Sequence, residues 1–167
     1  MAIRKPIYDF FADYIYRHTG IFYPEQNYYQ LDARLMELAN AFCLADAEQV
    51  YQGYATNVTP QMHQILIDLA TNNETSFFRD KHPFDSLVLL KNEIIKRKLN
   101  GITIWSAACS AGQEPYSMIM TLAESGSEIL AKKVHIVATD ISERILTKAR
   151  DGIYNQLEAQ RGLPINF

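Results

Sequence analysis

Between residues 102 and 140 the chain follows a pattern that few folds accommodate. ITIWS, residues 102–106, is a short β-branched and aromatic run. It passes into Ser106-Ala107-Ala108-Cys109-Ser110-Ala111-Gly112, an unbroken series of small residues, and then into a helical segment from about Glu114 to Glu124. A second apolar run, VHIVATD at residues 134–140, precedes Ser142, which is placed to cap a helix through Ile145, Leu146 and Ala149 that Gly152 ends. Strand, helix, strand, helix at this spacing predicts a parallel βαβα unit. Two parallel strands make a poor sheet on their own and need cover on both faces. The unit is therefore expected to be incomplete, either because the chain is a fragment or because strands are supplied from elsewhere.

The preceding residues carry a different pattern. Eight of the ten tyrosines lie before residue 55, and the apolar positions there repeat at helical spacing. Ile7, Phe10, Phe11, Tyr14 and Ile15 form one stripe that Gly20 stops. Pro24 is expected to open a second helix with the stripe Tyr28, Leu31, Leu35, Leu38 and Phe42. Asp46 is a candidate N-cap for a short helix through Tyr51 and Tyr54, and Thr59-Pro60 opens another through Ile65, Leu66 and Leu69. Residues 71–80, TNNETSFFRD, lack a period and read as a loop. A helix from Pro83 is expected to turn Phe84, Leu87, Val88, Ile94 and Ile95 inward and Lys91, Lys96, Arg97 and Lys98 outward, ending at Asn100-Gly101. The domain reading is a helical part at 1–70, a connecting loop and helix at 71–100, and a partial α/β domain at 101–167.

Composition narrows the function classes. At 48% hydrophobic residues and 21% charged the chain is globular, and a net charge of −3 argues against a general nucleic-acid binder. No apolar run is long enough to span a membrane, and acids near the start argue against a signal peptide. Two cysteines, Cys43 and Cys109, fit a reducing compartment, and four histidines fall at no metal-ligand spacing, so no metal site is expected.

Within the α/β part, the small-residue turn lets a ligand approach the backbone, although a tight turn with no ligand has the same composition. It is neither a dinucleotide fingerprint nor a P-loop. Asp140 ends the second strand, at the edge where open α/β sheets bind ligands and where an acid commonly meets a ribose diol. The alternative is helix capping, for which Thr139, Asp140 and Ser142 compete. Glu114 suits the first turn of a helix on dipole grounds alone. Arg79 has a plain reading as a surface arginine paired with Asp80. Cys109, in a row of small residues with no histidine near it in sequence, reads as packing, and His135, mid-strand, as structural. The tyrosines of the helical part read as core or rim.

Four stretches taken together resemble the CheR family of chemotaxis receptor methyltransferases: TNNETSFFRD (71–80), IWSAACSAGQEPYSMIMTLAE (104–124), ATDISERIL (138–146) and EAQRGLP (158–164). The helical part also resembles that family's small receptor-facing domain, from Tyr8 to Gly20 and at Arg34-Leu35. The resemblance implies a small all-α N-terminal domain followed by a partial α/β class I (Rossmann-like) methyltransferase domain. It implies S-adenosylmethionine as cofactor and glutamate side chains on the cytoplasmic helices of chemoreceptors as substrate, in the cytoplasm, with neither nucleic acid nor membrane insertion. By matching position, Asn73, Thr75 and Arg79 would face the methionine end of the cofactor, Glu114 its charged amino-acid part and Asp140 its ribose, with Arg79 as the catalytic arginine.

Two departures follow from the same comparison. The family continues into further strands, a small β-subdomain and a late tyrosine near the methyl group, so the chain as written is expected to be inactive, and either to self-associate or to be the ordered remnant of a longer protein. The family's second helix is usually strongly basic, whereas residues 25–48 here hold Glu25, Asp32, Glu37, Asp46 and Glu48 against Arg34 alone. That leaves two rival readings: a non-catalytic module that senses the cofactor or docks a partner, and a methyltransferase of the same fold acting on another acidic protein.

Overall fold

The computed structural model describes residues 3–97, 101–124, 126 and 134–165, and they divide into two compact units, 1–72 and 73–167. The first unit is helical. α1 (Lys5–Thr19) starts with Pro6 in its first turn and stops at Gly20, whose left-handed backbone (φ 75°) sends its N–H to the Tyr16 carbonyl. Pro24 opens a short 3₁₀ turn, Glu25–Asn27, and only then does α2 (Tyr29–Ala41) begin. The expected single helix from Pro24 is thus two elements, because the chain tightens into a 3₁₀ turn before it settles into α geometry.

α3 (Ala47–Thr56) and α4 (Pro60–Ala70) begin where their caps lie. The Asp46 carboxylate accepts from the Gln49 N–H, and the Thr59 hydroxyl accepts from the Met62 N–H. Phe11, Ile15, Leu31, Leu35, Leu38, Val50 and Leu66 form the buried core of this unit. Burying side chains of this size stabilises the unit by about 1.5–3 kcal/mol each relative to exposure. Tyr8, Tyr14, Tyr23, Tyr28, Tyr51 and Tyr54 line that core, while Tyr16 and Tyr29 are exposed. Tyr54 and Tyr23 are buried, with Tyr54 donating its hydroxyl to the Met62 carbonyl at 2.5 Å.

The second unit begins with the 73–80 loop. α5 (Lys81–Lys96) starts two residues ahead of Pro83, which sits in its first turn where a missing N–H costs nothing. Phe84 and Leu87 face inward as expected, but Val88 is exposed. The side chains of Ile94 and Ile95 lie outside the described residues, as do Lys98 and Asn100.

β1 (Ile102–Ala107) and β2 (Val134–Thr139) pair in parallel, Ile102 opposite Val134 through Ala107 opposite Thr139. This is the sheet among the described residues. α6 (Gln113–Glu124) packs with α5 on one face, where Leu87, Leu122, Ile104, Met118 and Val134 meet. On the other face Trp105 and Val137 are exposed, and the Trp105 indole N–H donates to the Thr139 hydroxyl at 3.0 Å. His135 is also exposed.

α7 (Glu143–Asp151) is capped by Ser142, which settles the three-way competition at that turn, and ends at Gly152 (φ 62°). α8 (Gln156–Gln160), a helix the sequence reading passed over, starts with a capping box between Asn155 and Glu158. Lys148 pairs with Glu158 and holds its carboxyl below the usual range, which ties α7 to α8.

Candidate functional site

Parallel register brings the ends of β1 and β2 side by side, so the turn after β1 and the residue after β2 become neighbours. The turn is tightly specified. Ala108 (φ 56°) and Ser110 (φ 49°) both lie in the left-handed region, an unusual cost for residues with a Cβ. Three hydrogen bonds hold the backbone there: Cys109 N–H to the Thr139 carbonyl at 2.9 Å, Gly112 N–H to the Cys109 carbonyl at 3.0 Å, and Ser110 N–H to Oδ2 of Asp140 at 2.8 Å.

Asp140 is the hinge of this arrangement. Its other oxygen, Oδ1, accepts from the Ser142 N–H at 3.0 Å, so one carboxylate braces both strand-end turns. Ser142, not Asp140, caps α7. Asp140 remains half-exposed, and a carboxylate has about four acceptor positions, of which two are used here.

Glu114 occupies the first turn of α6, and its Oε1 accepts from the buried Ser106 hydroxyl at 2.7 Å. Next to it, Gln113 is buried with its Oε1 lacking a hydrogen-bond partner among the described residues. A buried acceptor of that kind is costly unless a bound group completes it. Gly112 (φ 94°) is required on steric grounds as well, since a Cβ would stand 2.9 Å from the Tyr154 hydroxyl and 3.1 Å from Ala149.

The 73–80 loop is pinned to the turn and to α6 at two points. The Ser110 hydroxyl donates to the Asn73 carbonyl at 2.7 Å, and the Phe78 N–H donates to the Ser117 hydroxyl at 3.0 Å. Thr75 and Arg79 ride on the loop so anchored. Arg79 is exposed and its Nη1 donates to the Glu74 carbonyl at 3.0 Å, and no ion pair with Asp80 occurs among the described residues. Asn73, Glu114 and Asp140 are therefore linked to one turn by hydrogen bonds, while Thr75 and Arg79 are linked to it only through their loop.

Cys109 is buried, and burial followed by the nearby Asp140 charge pushes its thiol up, so it stays protonated and packs. Ser110, Ser117, Gln113 and Tyr154 are site residues that the sequence does not single out. None carries a local signal, because each acts across 30 or more residues or through burial.

The set of groups suits a ligand with an ammonium and a diol. Two half-exposed carboxylates, Asp140 and Glu114, stand at a turn whose Ala107 and Ala108 are exposed and small, beside an unpaired buried acceptor. S-adenosylmethionine carries both groups, so the residues present fit it.

Comparison with known proteins bears on the same residues. The family described as CheR methyltransferase, SAM binding domain, matches residues 73–167. The chain is 37% identical over 166 residues to chemotaxis protein methyltransferase 1 of Vibrio cholerae serotype O1, covering 98% of this chain and 60% of that protein. It is 34% identical to chemotaxis protein methyltransferase 1 of Pseudomonas aeruginosa over 171 residues, 98% of this chain and 61% of that one. A chemotaxis protein methyltransferase of Borreliella burgdorferi is 35% identical over 147 residues, 84% of this chain and 52% of its own length. The chain thus spans about 60% of the length of the first two of these relatives.

Proposed function

The chain belongs to the CheR methyltransferase family, with residues 73–167 in its S-adenosylmethionine-binding domain, and on that premise we propose that it transfers methyl groups from S-adenosylmethionine to glutamate side chains of chemoreceptors. The βαβα unit is read as the first half of a class I, Rossmann-like methyltransferase domain. Residues 1–72 are read as the part that faces the receptor, and the reaction is placed in the cytoplasm. The observation that carries the reading is the Asp140 carboxylate bracing the two strand-end turns while it stays half-exposed.

When bound, the cofactor supplies a methyl group on a positively charged sulfur. Asp140 would accept from the ribose diol, and Glu114 would hold the ammonium of the amino-acid part. Asn73 and Thr75 would line the methionine end. The substrate glutamate, with a pKa near 4.3, is already ionised at pH 7, so the chain need not provide a general base. Its work is to align the carboxylate and exclude water. Arg79 is assigned to hold one carboxylate oxygen while the other attacks, a charge-assisted bond worth roughly 1.5–3 kcal/mol. To do so it must release the Glu74 carbonyl, an exposed contact that is cheap to break.

Calorimetric titration of the full-length protein with S-adenosylhomocysteine, followed by radiolabelled methyl transfer to receptor fragments, tests the reading; a full-length protein that takes up no cofactor would sink it. Arg79→Lys is expected to lower kcat by roughly five- to tenfold and to change cofactor affinity less, because the planar fork is lost while the charge stays. Wild-type turnover in that variant would make the arginine peripheral.

One observation favours a second reading, a methyltransferase of the same fold acting on a different protein. Arg34, the only cation of α2, is spent internally: Nε donates to the Leu69 carbonyl at 2.9 Å, Nη1 to the Gln30 carbonyl at 2.5 Å, and the guanidinium lies over the Tyr23 ring at 5.7 Å. Residues 1–72 carry eight acids against four lysines and arginines, so electrostatic steering towards an acidic target is weak. Parallel assays on chemoreceptor fragments and on unrelated proteins, acidic and neutral, separate the two.

A further inference from the structure

Ala111 stands just outside the hydrogen-bond ladder of α6. The ladder starts one residue later, where the Gly112 carbonyl accepts from the Tyr116 N–H at 3.1 Å. Ala111 is buried, so its carbonyl oxygen needs another donor. The donor comes from 43 residues away: the Tyr154 hydroxyl, in the connection between α7 and α8, reaches the Ala111 carbonyl at 2.7 Å. The Tyr154 ring packs edge-on against Phe77, centroids 4.9 Å apart at 76°, and against Tyr116 at 6.0 Å and 84°. Phe77 is itself buried in the loop between Thr75 and Arg79.

We propose that Tyr154 is a positioning residue for the cofactor site, holding the small-residue turn with its hydroxyl and the Arg79 loop with its ring. The inference rests on the proposed function and deepens it. Ser110, one residue before Ala111, is kept in a left-handed conformation by Asp140 on one side and the Asn73 carbonyl on the other. Such a residue stays strained only while its surroundings over-determine it. The hydroxyl fixes the Ala111–Gly112 peptide, the second after the one that carries the Ser110 N–H, and so closes the frame in which that N–H points at Asp140. It is a dependable donor, since burial, with Tyr116 and Glu158 alongside, pushes it up to about 12 and keeps it protonated at neutral pH.

Tyr116 provides a matched comparison. Its hydroxyl also donates to a backbone carbonyl, that of Ala149 at 3.1 Å, which belongs to α7 and not to the turn's own backbone. Tyr154→Phe and Tyr116→Phe each remove one hydroxyl-to-carbonyl bond and keep the ring. The experiment titrates wild type and both variants, as full chains, with S-adenosylhomocysteine by calorimetry, well below the melting temperature of each. Tyr154→Phe is expected to bind about fivefold more weakly, and Tyr116→Phe within about twofold of wild type, while both melt at similarly lowered temperatures. Equal affinity of Tyr154→Phe and wild type overturns the inference and leaves the proposed function standing. So does an equal loss in both variants, which reflects general loosening rather than positioning. A wild-type chain that takes up no S-adenosylhomocysteine overturns the proposed function, and the inference falls with it.

Discussion

Replacing Asp140 with alanine is expected to weaken S-adenosylhomocysteine binding by about ten- to a hundredfold. A carboxylate that accepts from a ribose diol makes charge-assisted hydrogen bonds worth roughly 1.5–3 kcal/mol, and tenfold in affinity corresponds to about 1.4 kcal/mol. The substitution has a second cost that does not involve ligand. The N–H groups of Ser110 and Ser142, both in buried residues, lose their acceptor, and a buried unsatisfied donor costs about 1–3 kcal/mol. Calorimetry at a temperature where the variant is folded isolates the first effect, and thermal melting reads the second. A lowered melting temperature with an unchanged dissociation constant would reduce Asp140 to a strut between two turns.

Gly162→Ala is expected to damage the second unit more than any surface change. Gly162 lies at φ 101°, where an L side chain is strained, and a Cβ there would overlap the Phe77 carbonyl oxygen, a backbone atom that cannot swing aside. Backbone strain of this kind costs about 1–3 kcal/mol before the overlap is counted, so the total should reach about 3 kcal/mol. For a unit of 95 residues that corresponds to a fall of more than about 10 °C in melting temperature. Gly20→Ala is the control: its φ is also positive, at 75°, but nothing lies within 4 Å of the added Cβ, so only the conformational cost applies. Scanning calorimetry on both variants distinguishes them, and a Gly162→Ala protein that melts like wild type would show that the close approach to Phe77 is dispensable.

What the sequence revealed and what it hid divide along the distance over which each interaction acts. Asp46, Thr59, Ser142, Gly20 and Gly152 are legible because a cap acts within one turn of its own helix. The strands were legible from β-branched runs, and their parallel pairing from the helix between them. Small shifts came from geometry that propensity does not encode: the 3₁₀ turn ahead of α2, and the start of α5 before Pro83, which a first turn tolerates. Val88 sits on the helical stripe yet stays exposed, since periodicity gives a face but not its width. At the site, Asp140 and Glu114 stand out as acids at the ends of elements. The serines that set the geometry do not, because Ser110 and Ser117 act on residues 37 and 39 positions away, and no local pattern marks them. Tyr154 and Gly162 are hidden for the same reason.

The single tryptophan of the chain gives this architecture a built-in optical reporter. Trp105 is exposed among the described residues, with its indole N–H on the hydroxyl of Thr139, one residue before Asp140. Its emission is therefore undiluted by any other indole and originates beside the strand end that the carboxylate braces. Occupancy of the turn, or burial of that indole by further protein, changes the water around one fluorophore, and a titration followed by intrinsic fluorescence reads both without a label.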